Sequence, residues 1–281
     1  MARWLIVLFV TLGCSGAERV PPAETNVELV ARGALPHREL RYRVAKGTTT
    51  TIEVGVDATI IGRDAPTITT AMSFVGENVQ PDGRMNLRST VLSTRAKQPD
   101  GQMVPAELTK VFDGIMITAT LSPVGTLTDA KVDLAGKDLP EQVNAQLQTL
   151  TKSFDQVAMV LPNGPVGVGA QWKTRKTIEQ NKVTMTAVTM ITLTAIEGDK
   201  LTFTRTSEIT GPDQTVKEGE VSVSLKNISG SGSAKGTIDL AHLATTSEST
   251  DEYHAEIFDQ SAPTKTEKLV VKMSMTITPK P

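Results

Sequence analysis

The sequence predicts a mainly β fold of the α+β kind: a long antiparallel sheet, curled or shaped as a half-barrel, with one central amphipathic helix. Three observations support this prediction. Several segments alternate apolar and polar residues, hairpin-type turns separate these segments, and one mid-chain stretch has helical periodicity instead. The chain has 281 residues, a length at which β-rich folds commonly form a single domain.

The alternation that predicts strands is clearest near the C-terminus. Leu269, Val271, Met273, Met275 and Ile277 share one parity there, and mainly polar residues lie between them. A period of two gives a strand one buried face and one solvated face. Earlier segments with the same period are 52–60, 115–121 and 221–225. The sequence also contains 39 threonines, which suit such strands because their side chains are β-branched and remain wettable.

Turn signals separate the predicted strands. Residues 80–85 and 98–103 both contain Pro-Asp-Gly, which combines a fixed φ, a side-chain acceptor and a permissive glycine. Shorter turns are predicted at 123–126 and 197–200. A calcium loop is the alternative for the two Asp-Gly pairs, but neither copy has the further acidic residues that such a loop requires. We therefore predict turns at all four places.

One mid-chain stretch departs from the period of two. Within residues 139–157, the apolar residues Val143, Leu147, Leu150 and Phe154 recur every three or four positions. This spacing predicts a helix with one apolar stripe. A single helix in a β-rich chain is expected to cover the concave side of the curled sheet, because its stripe must be buried against another element.

The chain divides into three predicted regions. We predict a lipoprotein signal peptide at 1–13, a flexible tether at 14–27 and one β-rich domain at 28–281. The domain has two halves with similar hairpin layouts, about 28–160 and 161–281. Their sequences are too different to be described as a repeat.

The only cysteine, Cys14, predicts how the exported chain is anchored. One cation, Arg3, precedes an apolar run at 4–10, and a small residue stands directly before Cys14, as in bacterial lipoprotein signals. Acyl chains on Cys14 would hold the protein at a membrane. Ser15 stands where an aspartate often retains such proteins at the inner membrane, which favours the outer membrane. The alternative is an ordinary signal peptide cut after Ala17, which discards Cys14.

Composition argues against several classes of function. The net charge of −2 includes no basic excess, so we do not expect nucleic acid to be a partner. Three dispersed histidines and one cysteine offer no metal-ligand spacing, and no cofactor motif is present. No nucleophile elbow or marked carboxylate pair occurs either. We therefore expect a protein that is not an enzyme and that has no metal or cofactor.

The most distinctive stretch is 161–172, which contains Pro-Val-x-Val-Gly-x-x-Trp. Its key residues are Pro165, Gly167, Gly169 and Trp172. With Tyr-Arg-x-x-x-Gly at 42–47 and a segment ending Ile-Asp-Leu at 232–240, it resembles a family of uncharacterised bacterial lipoproteins, a domain of unknown function. The resemblance implies a lipoprotein and assigns no activity. We expect the motif to be structural, with Trp172 filling the core of the sheet, and a ligand site is the alternative.

Two hypotheses for function remain open. In the first, the sheet and the helix enclose a groove that binds a lipid or other apolar ligand, an architecture similar to that of the Lol-type lipoprotein carriers. The groove residues would be Val143, Leu147, Leu150, Phe154, Met273 and Met275. In the second, these residues are ordinary core, and the threonine-rich face contacts an envelope protein. An aromatic content of only 4% favours an aliphatic ligand over a sugar or nucleotide.

The anchor is tested by replacing Cys14 with serine. Serine cannot take the thioether-linked lipid, so we expect the Cys14→Ser protein to remain an unprocessed precursor or to leave the membrane fraction. Inhibition of lipoprotein signal processing in cells that carry the unaltered chain should have the same effect. Normal membrane fractionation of the Cys14→Ser protein would contradict the prediction.

Overall fold

A computed structural model confirms the mainly β fold. It describes residues 26–134, 136, 158–180, 183–218, 221–259 and 266–280. Strands account for 68% of the chain and belong to one large antiparallel sheet that is not closed. The predicted helix at 139–157, the signal peptide and most of the tether lie outside the described residues.

The sheet contains fourteen strands. Those of the first half are β1 (Asn26–Ala31), β2 (Thr49–Ile60), β3 (Arg63–Asp64), β4 (Thr67–Val79), β5 (Met85–Lys97), β6 (Met116–Leu121) and β7 (Leu127–Asp133). Those of the second half are β8 (Gln171–Gln180), β9 (Val183–Glu197), β10 (Lys200–Thr210), β11 (Gln214–Glu218), β12 (Val221–Asp239), β13 (Thr245–Asp259) and β14 (Thr266–Lys280). A short helix, α1 (Ala106–Thr109), and a 3-10 turn (Lys110–Phe112) connect β5 to β6.

The sheet is built from two meanders that come from the two halves of the chain. β8, β9, β10, β12, β13 and β14 are neighbours in that order, and so are β2, β4, β5, β6 and β7. The pairing of β14 with β2 joins the meanders and sets Met273 opposite Ala58 and Met275 opposite Val56. At one edge of the sheet, β1 from the first half pairs with β8 from the second half. One continuous sheet therefore includes strands of both halves.

One side of the sheet, which we call the inner face, carries the main core. The main core is the buried cluster that includes Phe74 of β4, Trp172 of β8 and Leu193 of β9, together with Leu40 and Tyr42 from the segment between β1 and β2. Strands β4 and β8 are separated by several strands in the sheet. They can contribute to one cluster because the sheet curls, as long twisted sheets do.

Hydrogen bonds from two buried aromatic side chains fix the segment that enters β8. The Tyr42 hydroxyl donates to the Met159 carbonyl at 3.0 Å and accepts from the Met159 N–H at 2.9 Å. Trp172 is fully buried, and its indole N–H donates to the Val160 carbonyl at 2.9 Å. Both rings therefore fill the core and also satisfy backbone groups that burial would otherwise leave without partners.

The two Pro-Asp-Gly copies are turns of the same construction, as predicted. Gly83 and Gly101 adopt positive φ angles of 82° and 90°. In each turn the aspartate carboxylate accepts the N–H two residues on, at 3.1 Å in the first turn and 3.0 Å in the second. The carboxylates of Asp82 and Asp100 thus cap their own turns.

The stretch that precedes β8 packs backbone to backbone against the segment that follows β1. A Cβ on Gly167 would overlap the carbonyl oxygen of Ala34, and the Gly167 N–H donates to the Arg32 carbonyl at 2.8 Å. Gly169 has a φ of 85° and donates to the Leu193 carbonyl at 2.7 Å. These two glycines are required by close approach and by conformation, respectively.

The close approach at Gly167 can be tested by adding a methyl group. We expect Gly167→Ala to lower the free energy of unfolding by about 3 kcal/mol or more, because two hydrogen-bonded backbone segments would have to separate. Gly47→Ala is the control: Gly47 has a positive φ and open space around it, so alanine there should cost only about 1 kcal/mol. Urea denaturation measures both values, and equal losses would contradict the account.

Candidate functional site

The polarity of the inner face changes along the strands. The main core occupies one end, and a second buried cluster, the distal core, occupies the other end; its members are Val183, Val223, Leu225, Ile228 and Ala255. Between these clusters, residues that are directly opposite each other on neighbouring strands form two rows across the sheet. Such partners point to the same face, so the strand register shows which side chains share the surface.

In both rows, β10 and β13 carry polar residues, β12 carries small residues, and β14 and β2 carry apolar residues. On β9 the first row has a threonine and the second an isoleucine of the main core. The first row is Thr189, Ser207, Gly232, Asp251, Met273 and Ala58. The second row is Ile191, Arg205, Ala234, Ser249, Met275 and Val56. We call Arg205, Ser207, Ser249 and Asp251 the polar belt, and Val56, Ala58, Met273 and Met275 the apolar strip.

The apolar strip is half-buried and is largely separate from both cores. Met275 packs against the main core, whereas Val56, Ala58 and Met273 belong to neither the main nor the distal core. Met273 lies beside Asp251 of β13 on one side and Ala58 of β2 on the other. Polar and apolar surfaces therefore meet at the boundary between β13 and β14.

Small residues of β12 make room for the polar belt. Gly232 and Ala234 are the inner-face residues of β12 between Arg205 on β10 and Asp251 on β13. A Cβ on Gly232 would overlap the Asp251 carboxylate, so that carboxylate lies directly over the β12 backbone. Any larger side chain at this position would displace Asp251.

Burial and charge both affect the ionisation of the belt. Burial raises the pKa of Asp251, and the positive charge of Arg205 opposes this rise. Burial also raises the pKa of the neighbouring Tyr253 to about 12, with the Asp251 charge adding to the effect and Arg205 opposing it. Arg205 and Asp251 therefore share one electrostatic environment, yet no ion pair or hydrogen bond joins these two described side chains.

Two polar atoms of the belt are buried and have no hydrogen-bond partner among the described residues. They are the Ser249 hydroxyl oxygen and the Arg205 Nε. Ser249 is only 5% exposed. Ser207 differs, because its hydroxyl lies 3.0 Å from the Thr189 hydroxyl. Unsatisfied buried groups are uncommon in folded proteins and each one calls for an explanation.

The structure places the residues predicted from the sequence in different regions. Met273 and Met275 lie together on the inner face of β14. Pro165, Gly167, Gly169 and Trp172 form the entry to β8, where Trp172 is buried in the main core. Cys14, Val143, Leu147, Leu150 and Phe154 lie outside the described residues.

The polar belt is the feature that sequence reasoning missed. The adjacent acids Asp251 and Glu252 have the composition of a solvated turn, but they lie in the middle of β13, with Asp251 facing inward. Residues 229–236, whose composition fits a flexible loop or a bulged strand, lie inside β12, which has its register shift just before them. The available signal was parity, because Arg205 has the same parity along β10 as the buried residues Leu201, Phe203 and Ile209.

The opposite, outer face has a polar groove of about 640 Å³. Strands β12 to β14 form one side of this outer groove, and the turns near Asp64 and Pro99 form the other. Hydroxyl and charged side chains line it, including Thr59, Lys97, Ser233, Thr250, Glu252 and Lys272. Thr59 donates to Asp64 at 2.8 Å, and Lys272 lies 3.6 Å from Glu252, so these groups are partly satisfied by each other.

Within the part of the chain that the structure describes, no group of three or more histidine, cysteine or acidic side chains is arranged to hold a metal ion. Among the same residues, no helix has the length and apolar character needed to cross a membrane.

Comparison with known proteins places part of the chain in context. Residues 109–242, a little under half of the chain, match the Family of unknown function (DUF6263). No curated protein matches the chain. The matched region contains β6 to β12, and therefore includes Arg205 and Ser207 but not Asp251 or Met273.

Two solved structures resemble the chain over most of its length. One is a protein from Bacteroides fragilis that is inferred to be exported and has a YmcC-like fold. Its sequence is 9% identical, the alignment covers 87% of this chain and 100% of that protein, and the TM-score is 0.23. The other is DynF from the dynemicin biosynthesis pathway of Micromonospora chersina, with 11% identity, coverages of 96% and 94%, and a TM-score of 0.18. TM-scores this low describe a loose correspondence of chain traces and carry no argument about function.

The environment of Asp251 predicts how stability depends on pH. Because its pKa is higher in the folded chain than its ordinary value of 3.8, the folded state binds more protons than the unfolded state between these two values. The stability that this group contributes is complete below pH 3.8 and is lost as the pH rises through the raised pKa.

Asparagine cannot ionise, so we expect Asp251→Asn to be more stable than the parent protein at neutral pH, with the difference shrinking as the pH falls toward 3.8. Thermal unfolding at several pH values measures the effect. Glu248→Gln is the control, since Glu248 is exposed on the outer face and pairs with Lys235. A stability difference for Asp251→Asn that grows as the pH falls would contradict the assignment.

Proposed function

We propose that the protein is exported, that Cys14 is lipidated, and that the domain works at the bacterial envelope, where the outer membrane is favoured over the inner one. The signal-like N-terminus and the single cysteine support this proposal. The proposed role of the anchored domain is binding rather than catalysis. In the polar belt, the Ser207 hydroxyl is paired with another hydroxyl, that of Thr189, and not with a general base.

We propose further that the inner face binds an amphiphilic lipid. The observation that carries this proposal is the pair of rows in which Arg205, Ser249 and Asp251 give way to Met273 and Met275. An amphiphile has the same division between a polar end and an aliphatic end. The two surfaces are adjacent, so one molecule could contact both.

The energetics favour an aliphatic chain on the apolar strip. Each methylene group moved from water into an apolar environment contributes about 0.8 kcal/mol. Met273 and Met275 suit such a chain because methionine is unbranched, polarisable and able to adapt to irregular shapes. Polar groups on the belt would then hold the other end of the lipid, and their desolvation would be offset by hydrogen bonds to it.

A second candidate is a scaffold that recognises an envelope partner through its outer face. The outer groove supports this candidate, because Ser233, Thr250 and Lys272 offer hydrogen-bonding groups in a concave surface. The two candidates use opposite faces of the sheet. Ser233→Trp would obstruct the outer groove, so it should impair capture of a protein partner and leave lipid binding unchanged.

Lipid binding is tested by native mass spectrometry of protein purified from its own envelope in mild detergent. We expect phospholipid to be retained, and we expect Met273→Trp to lower its affinity about tenfold, because the ring would displace about two methylene groups from the strip. Met103→Trp is the matched control, since Met103 is 58% exposed and lies outside the strip. A parent protein that retains no lipid would contradict the proposal.

A further inference from the structure

Within the part of the chain that the structure describes, one positive and one negative side chain of the polar belt lie near each other without forming an ion pair. Arg205 lies on β10 and Asp251 on β13, two strand spacings or about 10 Å away across the sheet and one row further along it, with only Gly232 and Ala234 of β12 between them on the inner face. The positive charge of Arg205 opposes the rise that burial causes in the pKa of Asp251, although no ion pair joins these two described side chains. Opposite charges held in this way can each bind one end of a dipolar group.

Other groups of the belt complete this arrangement. The Ser249 hydroxyl is nine-tenths or more buried, the Arg205 Nε is also buried, and neither has a hydrogen-bond partner in the described part of the chain. Ser249 lies in the same row as Arg205, separated from it by Ala234. Arg205 and Ser249 therefore offer unused donors on one side of Asp251, whose carboxylate is an acceptor.

We propose that the polar belt recognises a zwitterionic phosphoethanolamine headgroup, which deepens the proposed lipid-binding function and rests on it. The phosphate binds Arg205 and Ser249, because a guanidinium presents paired donors that match phosphate oxygens. The ammonium group donates to Asp251. The belt has no net charge, as the headgroup has none, so neither partner is left with an uncompensated charge.

Two other common headgroups fit less well. A purely anionic headgroup would satisfy Arg205 but would bring a second negative charge to Asp251. A choline headgroup carries a quaternary ammonium that cannot donate a hydrogen bond, and proteins usually bind that group in a cage of several aromatic rings. Tyr253 is the one aromatic residue in the described stretch of β13 beside Asp251 that shares the inner face.

The experiment is native mass spectrometry of the full-length lipidated protein in detergent with an equimolar mixture of phosphatidylethanolamine, phosphatidylcholine and phosphatidylglycerol. We expect phosphatidylethanolamine to be retained about tenfold more than either of the others. Arg205→Met and Asp251→Asn should each abolish this preference while some lipid is still retained. Arg88→Met, which removes an outer-face arginine paired with Glu77 at 2.6 Å, should leave the preference unchanged.

Soluble competitors separate the headgroup from phosphate alone. O-phosphoethanolamine should displace the bound lipid, and inorganic phosphate at the same concentration should do so about tenfold less well. Equal displacement by the two would overturn the zwitterion assignment. Lipid retention without a headgroup preference would overturn this inference and leave the proposed function standing, whereas retention of no lipid at all would overturn both.

Discussion

The antiparallel pairing of β14 with β2 is the interaction on which the rest of the structure depends. It joins a meander from the second half of the chain to one from the first half, so that the strands of both halves form one sheet. It also sets Met273 and Met275 beside Ala58 and Val56, which creates the apolar strip. The main core then draws on both meanders, which requires the joined sheet to curl.

The inner face is apolar at both ends, and between them it carries the polar belt beside the apolar strip, which is an unusual use of a buried surface. Strand patterning normally directs charged residues to the solvated face, so an inward arginine and aspartate are a local cost. Such departures tend to concentrate at functional sites. The glycine at position 232 supports this interpretation, because it removes the side chain that would otherwise displace the Asp251 carboxylate.

The fold was predictable because its signals are local. The alternation of apolar and polar residues at 269–277 and 52–60 predicts two strands. These segments lie in β14 and β2, whose pairing joins the two meanders. The site was harder, because Arg205 and Asp251 meet only after β10, β12 and β13 have paired in one particular register. Alternation reveals that Arg205 faces inward, but a single sequence does not contain the cross-strand register that brings it near Asp251.

The central claim is that the acyl part of an amphiphile lies on β14 and β2. Methionine methyl NMR with a phospholipid that carries a nitroxide near the end of its acyl chain tests this claim directly, because broadening depends on proximity to the label. The account predicts that the Met273 and Met275 methyl signals broaden strongly, while the exposed Met103 signal does not. Equal broadening of all three signals, or broadening of Met103 alone, would contradict it.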